Sequence, residues 1–321
     1  MTDPVVFPAA RRPTVATHDM PPARRPSVAT PAPTDAVPTA LALLCVHPHP
    51  DDETIQCGGI LARYSESGAR VKVVTCTGGE EGENLAGIDL GDVAMAEVRS
   101  RELYAALVEL GVSEHEFLGY RDSGMPGTAS NEDPASFHQA DLDEAGRRLA
   151  AVIRSFRPDV VVGDDEQGTY GHPDHVKAHE VTSRALELAA DPAELSVPGR
   201  PWQVRKRFVH ALPRSRLIAF HERMLAEGLP SPFGSESWPA EVLPFGVPEE
   251  VVTTAIDVRP WLSRKRAALR AHASQVGADS FFFNLPPDVA EAVFGTEYFV
   301  RLFGPTDSKA VEEDLFAGLC A

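Results

Sequence analysis

The chain has 321 residues, 43% of them hydrophobic and 24% charged, with a formal net charge of −17. That balance suits a globular body with a sizeable core, and the negative charge argues against a nucleic-acid backbone as partner. No apolar run approaches the roughly 20 residues of a membrane helix, so no membrane partner is expected either.

The four cysteines, Cys45, Cys57, Cys76 and Cys320, form no C-x-x-C pair. They read as small buried thiols of a reducing, cytoplasmic setting, with neither a disulfide framework nor a cysteine-based zinc site.

Residues 1–40 hold nine of the 28 prolines and few large apolar side chains, and are expected to be disordered. They repeat "ARRPTVAT" as "ARRPSVAT", but no apolar stretch follows either arginine pair, which counts against an export signal. The folded body is expected over 41–321, with a core over 41–195 and a C-terminal portion over 196–321 that completes a pocket.

In chain order, "LALLCV" is a continuous apolar run and predicts a buried parallel strand. "TIQCGGILARYSESG" predicts a helix that stops at Gly68, with Gly58 and Gly59 there for close packing. "VKVVTC" is the next strand, and "VAMAEVRSRELYAALVELG" a helix ending at Gly111. "EFLGY", "DLDEAGRRLAAVIRSF", "DVVVG" and "DHVKAHEVTSRALELA" continue the alternation as strand, helix, strand and helix. Such alternation implies right-handed crossovers and an α/β, Rossmann-like, mostly parallel sheet with helices on both faces.

After about residue 195 the pattern is less regular. "FVHAL", "VVTTAIDV" and "EYFVRLF" read as strands, and "WLSRKRAALRAHASQ" as a helix. "GLPSPFGSESWPAEVLPFGVPEE" reads as a long surface loop, and "SFFFNLP" as a core cluster rather than a pocket wall. His272 is expected to be structural.

Ligands of open parallel sheets bind beyond the carboxyl ends of the strands. Three predicted strands end in unusually polar loops: "HPHPDDE", "TGGEEGEN" and "GDDEQGTYGHPDHVKAH". The first carries His47, His49, Asp51, Asp52 and Glu53; the last carries His172, Asp174 and His175. Taken singly, a histidine there is usually structural and an aspartate at a helix start is a cap. Two His/Asp clusters at two strand ends of one sheet point instead to a divalent metal of borderline softness. A phosphate reader would need glycines, and no G-x-G-x-x-G lies between a strand and a helix.

"HPHPDDE" followed about 120 residues later by "YGHPDH" resembles the LmbE-like (PIG-L) family of metal-dependent N-deacetylases. The likeness runs from about residue 41 to the end of the chain. "VVTCTGGEEGE", "GYRDSGMPGT" and "ALRAHASQ" are similar to the branch that holds the mycothiol-biosynthesis deacetylase and mycothiol-conjugate amidase.

The resemblance implies that His49, Asp52 and His175 ligate a metal, zinc by default and ferrous iron as the other candidate. It makes Asp51 the general base. His172 becomes the group that steadies the oxyanion or protonates the leaving amine, oriented by Asp174. Tyr170 would add an oxyanion hydrogen bond. Arg99 and Asp122 would hold sugar hydroxyls, and Glu80, Glu81 and Glu83 would line the pocket. His47 matches no ligand.

That chemistry is sound in itself. A metal polarises the amide carbonyl and lowers its water's pKa to about 7, a non-ligating carboxylate takes the water's proton, and an imidazole opposite serves the oxyanion.

The chain departs from the family pattern at Gly163-Asp164-Asp165 and Gly168-Thr169-Tyr170, where relatives tend to have Thr-Tyr-Asp and Gly-Gly-Tyr. Asp164 is therefore expected to face the part of the substrate beyond the reacting sugar.

The leading expectation is removal of the N-acetyl group from a small N-acetylglucosamine-type amino sugar, a mycothiol precursor or a related pseudodisaccharide. The alternatives are an antibiotic-tailoring deacetylase on an aminoglycoside such as N-acetylparomamine, a mycothiol-conjugate amidase, and a non-catalytic metal-bound sugar-binding module. Binding alone would need neither Asp51 nor His172.

Overall fold

The computed structural model describes residues 41–87, 89–229, 231, 246–306 and 310–319. The proline-rich tail, most of the proline-containing loop before residue 246, and Cys320 lie outside them.

The elements in chain order are β1 Ala42–His47, α1 Asp52–Glu66, β2 Arg70–Thr77, α2 Met95–Leu110, β3 Glu114–Tyr120, α3 Ala129–Glu132, α4 Leu142–Phe156 and β4 Val160–Gly163. They continue as α5 Gly168–Gly171, α6 Pro173–Ala190, β5 Lys206–Ala211, α7 Arg214–Ala226, β6 Thr254–Asp257, α8 Leu262–Ala271, α9 Phe281–Asn284, α10 Pro287–Phe294 and β7 Thr296–Phe303.

One seven-stranded sheet runs in the order β3-β2-β1-β4-β5-β7-β6. The first five strands are parallel, and β7 pairs antiparallel with both β5 and β6. The Rossmann-like, mostly parallel layout is therefore present, and strands from beyond residue 196 extend the same sheet.

Alternation along β1 explains why both faces are covered. Leu43 and Cys45 face one way, into a cluster with Ile60 and Leu61 of α1 and Leu103 and Leu107 of α2. Ala42, Leu44 and Val46 face the other way, against Leu149 and Ile153 of α4 and Val181 and Ala185 of α6. A strand buried on both sides has no polar period to show, which is why "LALLCV" is apolar throughout.

Local chemistry sets the helix ends. Asp141 caps α4 by accepting from the Glu144 N–H, and Gly111 closes α2 at φ 76°. Gly59 of α1 lies where an added Cβ would fall 2.5 Å from Val258 Cβ. The close packing expected of that glycine is present.

The C-terminal region holds three helices that its sequence did not announce, α7, the one-turn α9 and α10. Phe220 and Met224 of α7 pack with Val289 and Ala290 of α10 and Leu285 in a third, small apolar cluster.

Candidate functional site

The sheet order reverses between β1 and β4, whose neighbouring crossovers leave in opposite directions. That is where an α/β sheet opens a crevice at its carboxyl edge. The loop after β1 carries His49, Asp51 and Asp52. The loop after β4 carries Asp164, Thr169 and Tyr170, then His172 at the cap of α6 and His175 in its first turn.

Two residues in these loops hold backbone conformations that side chains rarely adopt. Asp51 sits at φ 125°, ψ −31°, and Thr169 at φ 62°, ψ −66°. Such residues cost on the order of 1–3 kcal/mol each and cluster at functional sites. Asp51 is pinned by its N–H, which donates to Glu53 Oε2 at 2.9 Å, and by its carbonyl, which accepts from Thr54 N at 3.0 Å. His272 holds Glu53 in turn, with Nε2 2.8 Å from Oε1.

The metal-ligand set implied for this chain comes together. His49 Nδ1 lies 3.2 Å and His175 Nε2 3.5 Å from the same oxygen, Asp52 Oδ2. All three residues are buried, and His175 Nε2 has no hydrogen-bond partner among the described residues. An orphaned, buried imidazole nitrogen beside a carboxylate oxygen fits a divalent cation, which would satisfy both.

The far nitrogens of the two imidazoles each meet a carboxylate, as metal-bound histidines usually do. His175 Nδ1 is 2.7 Å from Asp164 Oδ1, and His49 Nε2 is 3.2 Å from Asp174 Oδ2 and 3.5 Å from Asp122 Oδ1. Burial opposes protonation of both rings, yet Asp122, Asp174 and Asp52 around His49, and Asp52 and Asp164 around His175, outweigh it and raise both. Burial likewise opposes ionisation of Asp52, but His175 and His49 hold it well below the usual carboxylate range. The cluster thus binds positive charge strongly, and a metal would take the place of protons.

Around this centre stand the other candidate groups. Burial pushes the Asp51 carboxyl up to about 6 against the pull of Arg99, whose Nη2 is 3.2 Å from Asp51 Oδ1. Arg99 is otherwise committed to Pro50 O at 2.7 Å and Gly79 O at 2.9 Å, so it holds Asp51 and the loops rather than standing free. His172 Nδ1 accepts from the Asp174 N–H at 3.1 Å. Burial, then His49 and His175, lower the His172 ring to about 4. The Tyr170 ring sits 5.3 Å from that of His175 and 6.0 Å from that of His172.

These groups line a cavity of about 890 Å³. Its lining also includes the apolar Leu212, Leu217, Phe220, Phe281 and Phe294, with Arg216 and Arg223 of α7 among them.

Several expectations need correction. Asp174 does not orient His172 through its carboxylate; that carboxylate faces His49 and the Ser123 N–H, at 2.9 Å. Asp164 does not meet the substrate: it is fully buried behind His175 and absent from the cavity wall. Glu83 is exposed and outside the cavity, with its carbonyl accepting from Gln275; Glu81 is the glutamate of that loop on the wall. Asp122 does line the cavity, but it is also drawn to His49. Phe281 and Phe282 are cavity wall as well as part of an apolar cluster.

The structure also gathers Cys45, His47 and Cys57, whose ligand atoms lie within 4.8 Å of one another in the core. No C-x-x-C spacing announces that contact, because one thiol comes from β1 and the other from α1.

Comparison with known proteins agrees with this geometry. Residues 44–186 match the family model "PIG-L: GlcNAc-PI de-N-acetylase". The chain is 47% identical over 287 residues to a 1D-myo-inositol 2-acetamido-2-deoxy-alpha-D-glucopyranoside deacetylase of Geodermatophilus obscurus, covering 86% of this chain and 97% of that protein. It is 46% identical over 288 residues to the Thermobifida fusca protein of the same name, covering 86% and 98%. Among solved structures, the N,N'-diacetylchitobiose deacetylase of Pyrococcus horikoshii shares the fold, with a TM-score of 0.55 at 21% identity over 82% of this chain and 84% of that one. With relatives this similar over nearly their whole length, and with the paired histidine–aspartate loops at one crevice, the chain belongs to the PIG-L family of de-N-acetylases.

Proposed function

We propose that this protein is a divalent-metal-dependent deacetylase that removes the acetyl group from a 2-acetamido-2-deoxyglucopyranoside linked to inositol. The observation that carries the chemistry is the convergence of His49 Nδ1 and His175 Nε2 on Asp52 Oδ2, with Asp51 beside them as a carboxylate in contact with neither imidazole. The substrate reading rests on relatives 46–47% identical that carry that substrate in their names.

His49, Asp52 and His175 would hold the ion. Their two-nitrogen, one-oxygen set fits zinc and is shared by ferrous iron. Bound there, the ion would supply Lewis acidity toward the amide oxygen and toward water.

The chain's own residues do the rest. Asp51, held by Arg99, takes a proton from the attacking water as its oxygen bonds to the acetyl carbon. His172 receives the Asp174 N–H at Nδ1, so its ring proton sits on Nε2. The ring is neutral at pH 7 because burial and the neighbouring imidazoles lower it. A neutral ring with its proton on Nε2 suits a donor to the oxyanion, and Tyr170, whose ring lies beside those of His172 and His175, would add a second. When the carbon–nitrogen bond breaks, the proton on Asp51 passes to the amine, leaving a free amino sugar and acetic acid, whose remaining proton is lost to give acetate.

No helix among the described residues is long and apolar enough to cross a membrane. A cytoplasmic setting and a small-molecule partner complete the reading.

The test is acetate release from N-acetylglucosaminyl-inositol, N-acetylparomamine and N-acetylglucosamine. The proposal requires the highest kcat/KM on the inositol compound. A higher value on N-acetylparomamine would favour the aminoglycoside-tailoring alternative.

A further inference from the structure

Asp164 is the chain's unexplained carboxylate. It is fully buried, faces no solvent and does not line the cavity. Three donors converge on its Oδ1: His175 Nδ1 at 2.7 Å, Gln56 Nε2 at 3.0 Å and Thr169 Oγ1 at 3.1 Å. Its Oδ2 has no partner among the described residues. Removing a carboxylate from water this completely is costly, and partners of that kind are kept where the charge serves a purpose.

We propose that Asp164 is a positioning residue that fixes the orientation and tautomer of His175 and thereby sets the protein's affinity for its metal. The inference rests on the reading of His175 as a ligand.

The geometry gives the reason. With Nδ1–H donated to Asp164, the His175 lone pair must sit on Nε2, the atom that faces Asp52 Oδ2 and lacks any other partner. A carboxylate behind an imidazole raises its basicity as well as locking the ring. Gln56 anchors Asp164 from α1, so the helix that follows the first loop and the loop after β4 meet at this one oxygen.

Thr169 provides a third anchor. Its φ of 62° and ψ of −66° are those of the rare, strained γ-turn, unusual for a β-branched residue. The turn is held by its hydroxyl on Asp164 and by its N–H on Asp165 Oδ1 at 2.9 Å. A carboxylate fixed from three elements cannot swing away when the metal arrives.

The test is Co(II) and Zn(II) binding to the metal-stripped full-length protein, followed by chelator competition and by the Co(II) absorption spectrum. Asp164→Asn keeps an acceptor for His175 but removes the charge. It is expected to weaken metal binding by about 10–100-fold and to alter the Co(II) bands, with far-UV circular dichroism unchanged. Thr169→Val removes one of the three donors that fix Asp164 and is expected to weaken metal binding too, by less than Asp164→Asn does, because the charge behind His175 remains.

A folded Asp164→Asn protein with parental affinity and spectrum would overturn the proposal. Should that variant fail to fold, Asp164→Ser is held to the same criterion. His175→Ala separates the two levels. If His175→Ala retained the metal, the ligand reading itself would fall. Loss of metal there with full affinity in Asp164→Asn would overturn the inference alone.

Discussion

Asp51 and Asp52 are neighbours with the same side chain, and their surroundings divide their work. Asp52 opens α1 with its carboxylate between two imidazoles, whereas Asp51 is turned away at φ 125° toward Arg99. Asp51→Asn is expected to keep the metal and lose turnover by about 10²–10⁴-fold, the usual worth of a general base. Asp52→Asn should lose metal instead. Metal content and kcat measured on both variants test the division, and matching behaviour would refute it. A base must be ionised to act, so activity should fall as pH drops through the Asp51 pKa. Burial places that pKa at about 6, and a bound cation nearby would only lower it. An acid limb of kcat/KM above pH 7 would show that another group is titrating.

At this scale the proposed ligands were legible because they lie within a few residues of one another in "HPHPDDE" and "GHPDH". The partners behind them were not. Asp164 lies 11 positions from His175, and Asp174 lies 125 positions from the His49 it faces. Sequence proximity instead suggested a substrate contact for the first, and the family resemblance a pairing with His172 for the second.

The elements matter because they aim these residues. β1 and β4 were readable as uninterrupted apolar runs, and α1, α2, α4 and α6 from their periodicity and stops. α7 and α10 were missed: neither has a side-chain cap hydrogen bond, and each buries only a few residues against the other. Their loss to sequence reading concealed the side chains they add to the cavity wall. α1 is fixed from behind as well. Glu297 of β7 accepts from the N–H groups of Gly59 and Ile60 at 2.7 and 2.8 Å and pairs with Lys265 at 2.7 Å. Gly59 leaves no room for a side chain against Val258. Gly59→Ala should therefore destabilise the fold by about 1–3 kcal/mol through overpacking. The measurement is the urea midpoint, with an unchanged m-value. An unshifted midpoint would mean that α1 can move off its neighbours freely.

Across the whole molecule, several histidines outside the proposed ligand set link stability to pH, and among them are two that the proposed mechanism does not use and that burial keeps neutral. Burial lowers His115 to about 4 and His210 to about 3, below the roughly 6.5 of an unfolded chain. Between those values the unfolded chain takes up protons that the folded one refuses. Their stabilising contribution is therefore whole above about pH 6.5 and declines as pH falls. His115→Gln should make the fall in melting temperature between pH 7 and 5 shallower; an unchanged slope would remove His115 from the account.

The same molecule carries its chemistry at one crevice of one sheet, where deacetylation is proposed to depend on a bound metal. The most direct measurement is metal content per chain alongside acetate release from N-acetylglucosaminyl-inositol, for the parent, His49→Ala and His175→Ala. The account predicts about one divalent ion per chain in the parent, as a single three-ligand centre requires, with metal and activity lost together in both variants. Full activity in a metal-free protein, or full metal occupancy in either variant, would contradict it.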